Sequence, residues 1–230
     1  MEKFPNIPPY EILEELGRGS TGIVFKARHK ESGRLVAVKT ICPKPGPEGA
    51  IRITRFHREA RAMAVCNHPN IVLVYAIGDC AGQPYIIREF VEGRSLQAEL
   101  DKELFTARLA SKMVELLSRP VQYIHDQGVI HRRLRPDNVL ITQDGMVKLI
   151  GFGKVFFIGG SPPVSITTDI RDLGVMLYHL MTREYWFPEG RLPDILARIC
   201  LKCSNVEPEN QYHSAMELAE DLRRYLQGSK

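Results

Sequence analysis

The sequence predicts an α+β fold in two parts, a smaller strand-rich part followed by a larger helical one. Three observations carry this. Short β-prone runs flank glycine-rich turns between Tyr10 and Ile41. From Ser95 onward, apolar residues recur at helical spacing. A chain of 230 residues, 44% apolar and 25% charged, is ordinary globular material, enough for one two-part domain.

In the first part, Tyr10 to Leu16 and Val24 to Arg28 read as strands, and Arg34 to Ile41 alternates as a third. Between the first two lies Gly17-Arg-Gly19-Ser-Thr-Gly22, followed by a strand rather than a helix. Glycines at such a turn let backbone amides approach an anionic ligand closely. Arg52 to Val65 has helical spacing and includes Glu59, and Pro69 predicts a stop near Cys66. Tyr85 to Gly93 reads as a further strand leading into a connecting stretch.

In the second part, Leu109, Met113, Leu116, Leu117, Val121 and Ile124 form one face of a long helix. Pro120 lies inside it, where a proline costs about 3 kcal/mol or kinks the helix. Val139 to Ile141 and Met146 to Ile150 read as short strands joined by a turn at Asp144-Gly145. Leu196 to Cys203 and Ser214 to Tyr225 are closing amphipathic helices.

The formal charge of +4 is small, and basic residues are scattered among acidic ones, so no nucleic-acid surface is expected. No apolar run approaches the roughly 18 residues of a membrane span. The first residues lack the pattern of a signal peptide. Five cysteines in a sparse, odd set suit reduced thiols, and the expectation is a cytoplasmic protein. Cys200 and Cys203 have metal-ligand spacing but lack a second pair, so buried helix cysteines are expected and no metal site.

Jointly these motifs resemble the protein kinase superfamily, and the end of the chain resembles bacterial serine/threonine kinases. The glycine-rich turn is followed at the family's distance by Val36-Ala-Val-Lys39. Residues 131–138 read His-Arg-Arg-Leu-Arg-Pro-Asp-Asn where the family has H-R-D-x-x-x-x-N, and residues 151–153 read Gly-Phe-Gly where it has D-F-G. The resemblance covers residues 8–227. It implies a two-lobed kinase-like fold, with lobes at 1–93 and 94–230, one main helix in the first and a shortened activation segment in the second. It also implies roles. Lys39 would hold ATP phosphates and pair with Glu59. Leu16, Gly17, Gly19, Gly22, Val24, Ala37 and Lys39 would line the nucleotide, Glu89 and Val91 would bond the adenine edge, and Leu140 would floor it. Arg88 stands at the gatekeeper position, usually apolar, where a buried guanidinium needs a partner. Glu59 is the nearest plausible one, in competition with Lys39. Met63, Val74, His131 and Phe152 match the family's packed spine.

The departures from the family are chemical. Arg133 stands where the catalytic base belongs, and arginine accepts no proton at neutral pH. Gly151 stands at the magnesium carboxylate and has no side-chain oxygen. Asn138 is kept, but one neutral carbonyl makes a poor metal site. The segment from Gly151 to Asp169 has roughly half the family's length, with no Ala-Pro-Glu-like end, and Gln211 replaces the arginine that would pair with it. The leading expectation is a pseudokinase that works by binding a protein partner, with room for weak ATP binding and no magnesium. Two alternatives stay open: an active serine/threonine kinase with an atypical base and metal arrangement, and an eroded structural domain.

Overall fold

Five strands of alternating polarity form one antiparallel sheet in the order β1-β2-β3-β5-β4: β1 Tyr10–Gly19, β2 Gly22–His29, β3 Leu35–Thr40, β4 Val74–Cys80 and β5 Gln83–Glu89. The computed structural model describes residues 6–19, 22–41, 46–80, 82–159, 164–185, 192–205 and 207–228. These fall into two compact units, Met1–Glu92 and Gly93–Lys230. Cys42, Ser20 and Thr21 of the glycine-rich turn, and residues 160–163 of the shortened segment lie outside the described residues.

In the first unit the strand period of two separates two faces. Ala27, Val36, Val38 and Ile87 pack on one, with Ile7 and Tyr85. Ile41 and Ile86 pack on the other, against Phe56 and Ala60 of α1 (Pro47–Ala64). This helix starts five residues before the apolar spacing indicated. Pro47 sits in its first turn, where its fixed φ and missing N–H cost nothing. Gly22 opens β2 at φ 136°, and a Cβ there would overlap the Thr40 carbonyl. Its lack of a side chain is therefore demanded by contact with β3.

The second unit holds a three-stranded sheet, β6 (Gly93–Ser95), β8 (Val139–Thr142) and β9 (Val147–Leu149), and a small pair, β7 (Val129–Ile130) with β10 (Phe156–Phe157). Gly93, assigned to the first lobe from the sequence, pairs with Thr142 and belongs here. The helices are α2 (Leu96–Lys102), α3 (Ala107–Asp126), α4 (Thr167–Thr182), α5 (Asp194–Ser204) and α6 (Ala215–Leu226). Hydroxyls of Ser95, Thr106 and Ser214 cap α2, α3 and α6 by accepting amides of Ala98, Leu109 and Glu217.

Pro120 does not interrupt α3, which runs unbroken over 20 residues. The apolar face through Val114, Leu117, Val121 and Ile124 is fully buried, and α3 packs along α4 and α6. That burial outweighs the roughly 3 kcal/mol penalty of one interior proline. Cys200 and Cys203 are buried in α5, and Cys203 fills the space beside Gly174 of α4. Burial pushes the Cys200 thiol up to about 12, which leaves it unreactive at neutral pH.

Candidate functional site

Lys39 and Glu59 meet inside the first unit. Lys39 Nζ lies 2.5 and 2.6 Å from the two Glu59 oxygens, and the side chains are 6% and 1% exposed. Strand phase explains the lysine, which lies opposite Ile86 and so on the α1 side of the sheet, where helix phase brings Glu59 inward. Burial pulls the Lys39 pKa down, Glu59 opposes this, and the Arg88 charge adds to the lowering.

Arg88 is buried on that same face, opposite Ala37 and Val74 in the ladders. The small Ala37 side chain leaves room beside it. Arg88 is inward, but it does not draw Glu59 from Lys39, because the ammonium takes both carboxylate oxygens. Among the described residues the Arg88 guanidinium makes no hydrogen bond, and Glu59 is the opposite charge acting on it. Burial lowers its pKa, though an arginine remains charged at neutral pH. One carboxylate thus balances two buried cations.

The other nucleotide candidates in this unit are placed less tightly. Leu16, Gly17 and Gly19 are exposed, and a Cβ at either glycine would meet nothing within 4 Å. Val24 and Val91 are half-buried, and Ala37 is buried. Glu89 N–H donates to the Leu73 carbonyl at 2.8 Å, and Leu73 N–H donates to Glu89 Oε2 at 3.2 Å. Leu140 is half-buried in β8 of the second unit.

The second unit fixes residues 131–138 by their backbone. Asp169 of α4 is fully buried and accepts His131 N–H at 2.8 Å, Arg132 N–H at 2.7 Å and a contact with His125 Nε2 at 2.9 Å. Asp172 accepts Leu134 N–H at 3.2 Å. His131 reaches the Ile150 carbonyl through Nε2 at 2.9 Å, and its ring meets Phe152 edge-on at 4.9 Å. Arg132 takes a positive φ of 63° and lays its guanidinium over Phe156, 4.8 Å from the ring centre. The resemblance to the family implies this role for Asp169, the leading aspartate of the stretch from Thr167 to Tyr178. His125 and Asp172 were not found, because neither falls within a motif.

Arg133 points its charge at Asp137, 3.8 Å away, and Arg135 lies 3.6 Å from the same carboxylate. Asp137, the loop's own acid, is thereby shared by two cations. Asn138 donates through Nδ2 to the Arg133 carbonyl at 2.9 Å. Its Oδ1 and Cγ fill the space where a Cβ at residue 151 would stand, well inside 3.0 Å. Gly151 itself has φ 87°, a left-handed conformation that favours glycine. The residues here do not fit magnesium, which takes oxygen ligands with at least one carboxylate. Position 151 has no side-chain oxygen, Asn138 occupies its space, and Asp137 lies 3.8 and 3.6 Å from Arg133 and Arg135. Among the described residues no group of three or more His, Cys, Asp or Glu side chains gathers to hold a metal.

Gln211 donates to the Asn205 carbonyl, closing its own loop where the family has an ion pair. No helix among the described residues is long and apolar enough to cross a membrane.

Comparison with known proteins agrees with this geometry. Residues 10–162 match the protein kinase domain. A probable serine/threonine-protein kinase of Streptomyces coelicolor is 29% identical over 95% of this chain and 40% of its own length. The serine/threonine-protein kinase PknD of Protochlamydia amoebophila is 27% identical over 95% of this chain and 30% of its own. A probable kinase PknB of Lactococcus lactis is 28% identical over 93% and 41%. The chain spans less than half the length of these relatives. The match to the first extends over 271 residues, more than this chain contains, so that relative carries segments missing here. With its two units, its buried lysine–glutamate pair and its anchored loop, the chain belongs to the protein kinase family.

Proposed function

We propose that this domain is a pseudokinase: it keeps the kinase scaffold, does not transfer phosphate at a working rate, and acts by binding a protein partner. One observation carries the reading. Asn138 occupies the space that a Cβ at residue 151 would need, while Arg133 stands at the base position and lies 3.8 Å from Asp137. Phosphoryl transfer in this family depends on positioning and charge stabilisation by metal ions, and on an acceptor for the hydroxyl proton. None of these groups is supplied by positions 133 and 151. The shortened segment after Gly151 also removes the platform on which a protein substrate docks in the family.

Nucleotide binding is a separate matter. The Lys39–Glu59 pair is made in the first unit, and Arg133 and Arg135 in the second carry the sign of charge that favours polyanions. ATP is therefore expected to bind weakly, and as well in EDTA as in magnesium. The four free thiols among the described residues suit a reducing cytoplasmic setting.

Transfer of labelled phosphate from ATP to the domain itself and to a generic protein acceptor tests the reading. Turnover far below the roughly 1–100 per second of working kinases is expected. Sustained autophosphorylation that Lys39→Ala abolishes would overturn it and favour the active-kinase alternative. Melting curves with ATP and magnesium, ATP and EDTA, and adenosine alone test the nucleotide. Stabilisation only with magnesium would mean that a metal ligand exists after all.

A further inference from the structure

Away from the family's motifs, a groove of about 680 Å³ runs between the start of α3 and the end of α6. Only α3 lies in the span that matches the kinase domain, since α6 begins at Ala215 and the match ends at residue 162. The volume falls inside the range of about 300–1,000 Å³ typical of ligand sites. Four cations line it, Arg108, Lys112, Arg119 and Arg223, against a single carboxylate, Glu115.

That carboxylate is already committed. Glu115 is buried at the floor, with Lys112 at 3.0 Å from one oxygen and Arg119 at 2.8 Å from the other. Burial works against its charge, and the hydrogen bonds from Arg119 and Lys112 outweigh that and hold its pKa below the usual range. Arg108 instead donates to the Leu226 carbonyl at 2.8 Å, a neutral acceptor at the end of α6. Neither Arg108 nor Arg223 has an ion-pair partner among the described residues. Among the described residues the groove therefore carries an excess of positive charge over its one committed carboxylate. Leu109, 45% exposed, stands among these cations and gives the wall an apolar spot.

We propose that this groove docks an acidic, leucine-bearing peptide segment of a partner protein. Carboxylates of such a segment meet Arg108 and Arg223 at the rim, and an apolar side chain covers Leu109. A helix face of this kind reads a peptide through an apolar anchor flanked by charge. A nucleic-acid strand is the poorer occupant, because no aromatic ring lines the groove to stack a base. The site is independent of the nucleotide question and stands whether or not the domain transfers phosphate.

The test is fluorescence anisotropy of a labelled twelve-residue peptide of glutamate and leucine, titrated with the full 230-residue chain. Controls are the same peptide with glutamine for glutamate, and a single-stranded oligonucleotide of similar charge. The acidic peptide should bind at micromolar concentration and weaken steeply with salt, and the glutamine peptide should bind at least tenfold more weakly. Arg223→Glu should weaken the acidic peptide at least tenfold and Leu109→Asn severalfold, with melting temperatures unchanged, since both side chains are exposed. Absence of binding by the unaltered chain overturns the proposal. So does binding that both substitutions leave unchanged, and so does equally tight binding of the oligonucleotide, which would make the groove a general polyanion surface.

Discussion

The buried pair of the first unit and the loop of the second make an instructive contrast. Lys39, Glu59 and Arg88 are charged side chains placed inside the protein, where Glu59 is the one carboxylate acting on both cations. In residues 131–138 the enforcing contacts are to the backbone. Asp169 holds two main-chain amides, Asp172 a third, and Asn138 a main-chain carbonyl. The side chains of Arg133 and Arg135 project outward with only long contacts to Asp137. The lesson is that a loop's position and its chemistry are separable. Residues that shape the loop are tied to its backbone, whereas the side chain at position 133 makes only a long contact and can vary at little cost.

The largest expected effect tests the backbone anchor. Asp169→Ala leaves two buried amides and His125 without their acceptor, and should cost about 3–5 kcal/mol in denaturant unfolding. A loss below about 1 kcal/mol would show that the loop is held by something else. Next comes the buried charge cluster. Glu59→Gln leaves two buried cations uncompensated and should cost about 3 kcal/mol. Lys39→Met should cost less, because Arg88 remains to balance Glu59, and Arg88→Met should be neutral or stabilising. If Lys39→Met proves the more damaging substitution, Arg88 does not share the carboxylate.

A smaller effect separates the two missing aspartates. Gly151→Asp must adopt a left-handed backbone and displace Asn138, for about 1–3 kcal/mol of destabilisation. Arg133→Asp should stay within about 0.5 kcal/mol, as exposed pairs contribute little. Equal melting temperatures for the two variants would contradict the packing of Asn138 against residue 151.

A pH dependence of comparable size is expected at the loop's second anchor. Burial first, and then the charge of Asp169, raises the Asp172 pKa to about 6, partly offset by the Leu134 amide. A carboxyl whose folded pKa is raised binds more protons folded than unfolded between about pH 4 and 6. Its contribution should therefore strengthen on acidification from pH 7 toward pH 5, by about 1 kcal/mol after allowance for its solvent contact. Asp172→Asn keeps an oxygen for Leu134 and should flatten that part of the stability curve. An unchanged curve in the variant would assign the titration to another group.

Much of the fold was legible from the chain. Strand alternation at Val36 to Lys39 and the spacing of Gly17, Gly19 and Gly22 are local patterns that survive without tertiary context. The α3 face was legible too, but its continuity was not. A proline's cost is local, while the burial that overcomes it comes from α4 and α6. Gly93 was misplaced because its pairing partner, Thr142, lies 49 residues further along.

What the sequence by itself determined is which side chains stand at positions 133 and 151. Arginine accepts no proton at neutral pH and glycine offers no side-chain oxygen wherever they are placed, so the side-chain chemistry of positions 133 and 151 could be interpreted from residue type alone. What only the tertiary structure decided is which partners the remaining groups have. One carboxylate, Glu59, faced two cations, and strand and helix phase gave both its oxygens to Lys39 while leaving Arg88 buried beside them. Asn138 took the space at Gly151, and Arg108, Lys112, Arg119 and Arg223 converged from two helices about a hundred residues apart. Such outcomes depend on distances of a few ångströms between residues remote in the chain, and a linear pattern does not contain them.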